Sequence, residues 1–301
     1  MRPRALKADA MLLLVALFWG AGFAAQRVAM DSMGPFTFNA ARYAIGAVLL
    51  VPLLGVVKAR GRRFDRRTLV VGLLLGVVMA AASGLQQVGL VTTTASRAGF
   101  ITGLYVILVP ALGLLFGQRL FVGHITGAAF AVAGLWLLSG HLSGGLVRGD
   151  VYVLGCAALW AVHVVVVAHV AAKADALALS IAQFVVVAVL SSVLAIARET
   201  PTLAGVGAGM LPVLYSGVFA IGVAFTFQVL AQRDAPPTHA AVIMSLEAVF
   251  GALAGVALLG ERLSAAETAG CGLMFAGMLA CQLWPHKRTP AERAELTDPV
   301  R

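Results

Sequence analysis

Residues 240–263, AAVIMSLEAVFGALAGVALLGERL, form an apolar run long enough to cross a bilayer, with one carboxylate, Glu247, near the middle of the crossing and Glu261 only at its far end. A carboxylate at that depth costs about 2.5–3.5 kcal/mol on insertion scales, so such a group faces protein or water and serves a function. Gly251 and Gly255 follow at i+4 and i+8, on the same helical face as the acid, and permit close helix contact there. The acid therefore points into the protein. The run closes on Gly260-Glu261-Arg262-Leu263, and Gly117-Gln118-Arg119-Leu120 stands 143 residues earlier, which points to an internal duplication.

The rest of the chain has the same character. Its 301 residues are 60% hydrophobic and 12% charged, with a mean hydropathy of +0.95, too apolar for a soluble domain. The expected class is an all-α polytopic membrane protein. A net charge of +9 would suit nucleic acid, but the positive residues gather in short segments between apolar runs, so they report topology and no nucleic-acid partner. Cys156, Cys271 and Cys281 lie inside apolar runs without CxxC or Cys/His metal spacing, which predicts neither a disulfide framework nor a metal site. Arg2, Arg4 and Lys7 precede an apolar run that continues from Met11 to about Met30 without a cleavage region, so this is a first span and not a signal peptide.

About twenty apolar residues cross a bilayer. That yardstick gives ten spans, at 9–30, 36–57, 68–91, 96–116, 121–139, 150–172, 176–197, 209–231, 237–259 and 264–284. The resulting organisation is a cytoplasmic N-terminal segment (1–8), a first five-helix repeat (9–139), a connecting loop (140–149), a second five-helix repeat (150–284) and a polar, disordered cytoplasmic tail (285–301). With both termini cytoplasmic, 16 Lys and Arg fall on that side: three at the N-terminus, six in Lys58–Arg67, Arg119, Lys173, Arg233 and four in the tail. Five fall on the other side, Arg27, Arg97, Arg148, Arg198 and Arg262, as the positive-inside rule requires.

Aligning the halves extends the duplication. At an offset of 141, Leu17-Phe18-Trp19-Gly20 lies over Ala158-Leu159-Trp160-Ala161, and Asn39-Ala40-Ala41-Arg42-Tyr43 over Ser180-Ile181-Ala182-Gln183-Phe184. At 143, Gly127 and Gly134 meet Gly270 and Gly277. Five spans per half force the second copy to enter the membrane in the opposite sense, the inverted repeat typical of secondary transporters.

Leu17-Phe18-Trp19-Gly20, then Ala41-Arg42-Tyr43, then Thr94-Ala95-Ser96-Arg97-Ala98-Gly99-Phe100 leading into Leu104-Tyr105-Val106-Ile107-Leu108-Val109-Pro110, and finally Leu246-Glu247 with Gly260-Glu261-Arg262-Leu263 form an ordered set. In that order and spacing the chain resembles the drug/metabolite transporter (DMT) superfamily, EamA-type branch, from about Leu12 to Trp284. The resemblance implies export of small metabolites by alternating access, through a central cavity between the first four spans of each half, in a bacterial inner membrane. Many relatives carry proline directly after the acid of the ninth span. Here the position is Ala248, so proline supplies no kink.

The residues themselves supply a cavity. Trp19, Gly22 and Gln26 share one face of the first span, and Asn39, Arg42, Tyr43 and Gly46 one face of the second. Ser83, Gln86 and Gln87 come from the third, and Thr102 and Tyr105 from the fourth. The second half contributes Trp160, His163, Gln183, Phe184, Gln228, Met244 and Glu247. Together they make an amphipathic pocket of rings and amides. Glu247 and His163 are the groups for proton coupling. Each has a structural reading as well: Glu247 as a hydrogen-bonded lock, Arg42 snorkelling to the outer headgroups, His163 as a packing histidine. Trp136 and Trp284, in the last span of each half, suit a lipid-facing or interfacial place.

There is no Walker A loop, no GxGxxG after a strand and no HExxH, so the sequence predicts neither an enzyme nor an ATP-driven pump, and no cofactor. The expected activity is secondary transport of small amphipathic metabolites, amino acids first, by a monomer or homodimer in the bilayer. Efflux of cationic drugs neutralised at Glu247 is the alternative within transport; a membrane scaffold or a lipid-modifying enzyme is the alternative outside it.

Overall fold

The computed structural model describes residues 3–59, 66–117, 120–138, 146–259 and 262–283. Residues 60–65 of the basic loop, residues 140–145 of the connecting loop, Gln118, Arg119, Gly260, Glu261, Trp284 and the tail 285–301 lie outside the described residues.

The ten apolar runs fold as helices. The first three spans are single helices, α1 (Pro3–Ala29), α2 (Pro35–Ala59) and α3 (Arg66–Leu90). The fourth span is split into α4 (Ala95–Gly103) and α5 (Tyr105–Leu115), and α6 (Val122–Leu138) completes the first half. The second half opens with α7 (Arg148–Val170) and α8 (Ala176–Arg198), followed by a short surface helix, α9 (Leu203–Ala208). Its third span runs as α10 (Met210–Tyr215), a π-helical segment (Ser216–Phe225) and α11 (Thr226–Ala231). The fourth is split again, into α12 (Pro237–Met244) and α13 (Glu247–Leu259), and α14 (Ala265–Leu283) comes last. Eight of the ten are long and apolar enough to cross a membrane; the two shorter ones, α6 and α14, each end a half.

Contacts between the halves reveal their inverted relation. An α-carbon substituent on Gly127 would sit 2.8 Å from the Gly277 carbonyl, and one on Gly134 2.6 Å from that of Gly270. The reciprocal contacts are 2.7 Å in each case. Helices α6 and α14 are therefore antiparallel and pressed backbone to backbone. Because Gly127 matches Gly270 and Gly134 matches Gly277, the two contacts exchange under a pseudo-two-fold axis. Other pairs obey the same exchange: α1 packs on α13 as α7 packs on α4 and α5, and α3 packs on α8 as the π segment packs on α2. Lipid tails give no hydrophobic drive for this association, so small residues that let backbones approach carry it. Outward-facing Val48, Leu74, Leu115 and Ile196 stay exposed on the outside of the bundle, as does Trp136 on α6.

Both fourth spans break without a proline at the break. Leu104 N–H bonds Ile101 O at 3.2 Å and Ile107 N–H bonds Leu104 O at 3.0 Å, i→i−3 bonds that tighten the helix for one turn. In the second half Leu246 N–H bonds Ile243 O at 3.1 Å and Ala248 N–H bonds Ser245 O at 3.2 Å. Flexible Gly103 precedes the first break, and the Ser245 hydroxyl bonds back to Val242 O at 2.8 Å at the second, a contact that bends helices.

Candidate functional site

Helix α1 brings Trp19, Phe23 and Gln26 to the centre of the bundle at i, i+4 and i+7, and α7 brings Trp160 and Val164 at i and i+4. Arg42 and Tyr43 from α2, Gln86 from α3, Thr102 from α4 and Tyr105 from α5 complete one side. Ala220, Ile221 and Phe225 of the π segment, Gln228 of α11 and Glu247 of α13 form the other. The space among these side chains, including its opening, is about 530 Å³.

Phe225 is the hub of the apolar wall. Its ring stacks on Trp160 at 5.4 Å between centroids, lies 4.6 Å from Trp19, and meets Tyr43 and Phe184 at 6.4 and 6.2 Å. The Trp19 indole N–H donates to Ala220 O at 3.0 Å, which fixes that ring against the π segment. Tyr43 shares a 2.5 Å hydrogen bond with the Ser83 hydroxyl, and Gln86 donates to Thr102 at 3.3 Å.

Two ionisable side chains stand in this wall. Arg42 is 3% exposed; its Nε donates to Asn39 Oδ1 at 2.9 Å, and its guanidinium lies 5.0 Å from the Phe38 ring centroid and 5.2 Å from that of Tyr43. Asn39 is held in turn by a 3.0 Å bond to Ser83 O. Glu247 is 2% exposed, in the first turn of α13, where the helix N-terminus favours a carboxylate. Neither makes an ion pair among the described residues. Gln26 Oε1 and Gln228 Oε1 in the same wall have no hydrogen-bond partner, while Glu247 Oε1 and the Tyr105 hydroxyl make no well-formed hydrogen bond and interact with each other. A buried polar atom left unpaired costs about 1–3 kcal/mol, so this wall presents acceptors that a polar guest would satisfy.

A second cavity shares Phe23 and Glu247 with the first and runs between α1, α4 and α13 to Arg262 and Glu267, before the start of and in the first turn of α14. Gly20, whose added Cβ would collide with Glu247 O, lines it, so Glu247 stands between a central space and a lateral one.

Of the residues expected at the cavity, Trp19, Gln26, Arg42, Tyr43, Gln86, Thr102, Tyr105, Trp160, Gln228 and Glu247 line it, whereas Gly22, Gly46 and Ser83 do not. Asn39, Gln87, His163, Gln183, Phe184 and Met244 stand behind the wall. Asn39 orients Arg42. Gln87 donates to Gln26 O at 3.2 Å. His163 Nε2 pairs with Gln183 Oε1 at 2.6 Å, and the Gln183 amide donates to Leu179 O at 3.0 Å. Phe184 meets Tyr43 edge to face at 6.0 Å, and Met244 is fully buried. Phe225, Ile221 and Ala220 were not legible at the 3.6-residue period, because the π segment widens each turn and changes which residues share a face.

The comparisons with known proteins agree with this architecture. The EamA-like transporter family matches the chain twice, over residues 6–140 and 147–281. An uncharacterized transporter of Archaeoglobus fulgidus is 32% identical over 279 residues, covering 92% of this chain and 86% of the relative. The uncharacterized transporter YwfM of Bacillus subtilis is 27% identical, covering 95% and 97%. A crystal structure aligns with a TM-score of 0.77 over 92% of this chain and 96% of the other, at 22% identity, and so shares the fold. With both repeats matched and the helices in place, the chain belongs to the EamA-like transporter family and is a multi-pass membrane transporter.

Proposed function

We propose that the protein exports small zwitterionic amphipathic metabolites, amino acids first among them, by alternating access through the central cavity. The observation that carries this reading is the pairing of an uncompensated guanidinium, Arg42, with an uncompensated carboxylate, Glu247, in one mostly apolar wall. A substrate carboxylate meets the remaining N–H donors of Arg42. A substrate ammonium meets Glu247 Oε1 and the acceptor oxygens of Gln26 and Gln228. The side chain then lies against Trp19, Trp160 and Phe225. A lipophilic cation would find Glu247 and the rings but would leave Arg42 unpaired, which argues for the zwitterion.

Glu247 also serves as the proton-coupling group in this reading, since it borders both the central space and the lateral one leading to Arg262 and Glu267. His163 is the second candidate; its Nδ1 has no hydrogen-bond partner, but Gln183 and the rings of Trp160 and Phe225 shield it from the cavity. The lysine and arginine distribution supports an inner-membrane orientation with both termini cytoplasmic. The test is flux into proteoliposomes with a panel of labelled amino acids, with and without an imposed proton gradient. Saturable amino-acid flux that responds to the gradient is expected. Absence of flux for every amino acid, together with flux of lipophilic cations, overturns the reading in favour of cation efflux.

A further inference from the structure

At the cytoplasmic end, away from the central cavity, four helices bring together side chains that the sequence scatters. Asp9 of α1, His124 of α6, His239 of α12 and Cys281 of α14 all lie within a turn or two of that end of their helices. His239 is bracketed: its Nε2 is 2.7 Å from Asp9 Oδ1 and its Nδ1 is 3.4 Å from Cys281 Sγ. One donor atom from each of His124, His239 and Cys281 lies within 4.8 Å of the others. Cys281 is fully buried, His124 is 1% exposed, and the His239 side chain is 12% exposed, an opening through which a small ion can enter.

We propose that His124, His239 and Cys281 bind a thiophilic divalent cation of the Zn²⁺ class, with Asp9 fixing the orientation of His239. Zn–S near 2.3 Å and Zn–N near 2.0–2.1 Å at a tetrahedral angle place sulfur and nitrogen about 3.5 Å apart, which matches the Cys281–His239 separation. Metal-bound histidines commonly donate their other ring N–H to a carboxylate, and Asp9 stands at that second nitrogen of His239. The Cys281 thiolate and the Asp9 carboxylate offset the two positive charges, so the filled site is neutral where charge is costly. Binding releases the thiol proton to solvent. Three protein ligands leave a fourth position for water. Because α1 and α6 belong to the first half and α12 and α14 to the second, a bound ion ties the two halves together at this end.

The test uses the purified full-length protein in detergent, freed of affinity tag and stripped of metal, titrated with Co²⁺ and then Zn²⁺. The expected result is a thiolate-to-cobalt charge-transfer band with the visible bands of tetrahedral cobalt. These saturate at one ion per chain and are displaced by Zn²⁺, which also raises the apparent Tm. Cys281→Ser removes the charge-transfer band, His124→Gln weakens binding at least about tenfold, and Asp9→Asn weakens it about 10–100-fold. The absence of a band in the unmodified protein would show that Asp9, His239 and Cys281 are only a hydrogen-bonded packing cluster. A band that survives Cys281→Ser would place the metal at Cys271 or Cys156. Either result overturns the proposal.

Discussion

The fourth span of each half breaks at a matching point, Leu104 in one and Ser245-Leu246 in the other, and each break carries two i→i−3 bonds, in slightly different register. The residue after the break differs: α5 starts on Tyr105 and α13 on Glu247. The duplication thus repeats the backbone device, a broken helix whose second half begins at the cavity, while a neutral hydroxyl occupies one copy and a carboxylate the other. If charge is what the second copy adds, Glu247→Gln should reduce amino-acid flux in proteoliposomes by about thirtyfold or more. Losing one partner of a buried charge pair costs about 2–5 kcal/mol. Tyr105→Phe, which removes one neutral donor worth about 0.5–1.5 kcal/mol, should reduce it only several-fold. Equal losses from the two variants would mean that the break, and not the charge, is what matters.

The second spans differ in the same way. Arg42 faces the cavity, whereas its counterpart Gln183 turns aside to His163 and Leu179. Arg42→Gln makes the halves alike, and the expected result is a loss of about ten- to a hundredfold in affinity for amino acids, from hydrogen bonds to a charged group worth about 1.5–3 kcal/mol. Competition by the matching decarboxylated amines should be unchanged. If amines and amino acids lose equally, Arg42 holds the helices and not the substrate carboxylate.

The packing behind the two breaks is also unequal. A Cβ on Gly20 would collide with Glu247 O and sit 2.8 Å from Gly251 N, whereas the matching residue of the second half, Ala161, already carries a Cβ and is fully buried. Helix α1 therefore lies closer to α13 than α7 lies to its partners. Gly20→Ala should destabilise by about 1–3 kcal/mol through overpacking and lower the apparent Tm in detergent. Ala161→Gly should cost only about 0.5–1 kcal/mol through helix propensity. A neutral Gly20→Ala would show that α1 can draw back from α13 at no cost.

These contrasts explain what the sequence could reveal. Ten spans and the inverted repeat were legible because span length and the offsets of Trp19 to Trp160 and Gly127 to Gly270 survive without any knowledge of contacts. Glu247 and Arg42 were legible because a charge in an apolar run is conspicuous. The breaks were not, since Leu104 and Leu246 are ordinary helix formers and the nearest proline in the fourth span, Pro110, lies beyond the break. Phe225 was hidden twice: its register depends on a π segment, and its counterpart in the first half is not aromatic. The Asp9, His124, His239 and Cys281 cluster has no local spacing, because four separate helices supply it.

The smallest expected difference concerns how the matched helices α2 and α8 begin. Asp175 caps α8 from its own N-cap position, accepting from Leu177 N–H and Ala178 N–H at 3.1 Å each. The matching residue before α2 is Gly34, which has no side chain to cap with. There Glu199, just past the far end of α8, reaches across and accepts from the matching amides, Phe36 N–H at 2.7 Å and Thr37 N–H at 2.9 Å, and from the Thr37 hydroxyl at 2.6 Å. One cap is local; the other ties the start of α2 to the end of α8, two helices from different halves. Both Asp175→Ala and Glu199→Ala should cost about 0.5–2 kcal/mol in stability. Only Glu199→Ala should also speed amide hydrogen exchange at both the start of α2 and the end of α8, because only that cap couples them. Gly34→Asp in the Glu199→Ala background supplies a local cap and should restore protection at α2 but not at α8. If it restores both, the long reach of Glu199 is only a substitute for a missing side chain and carries no coupling between the halves.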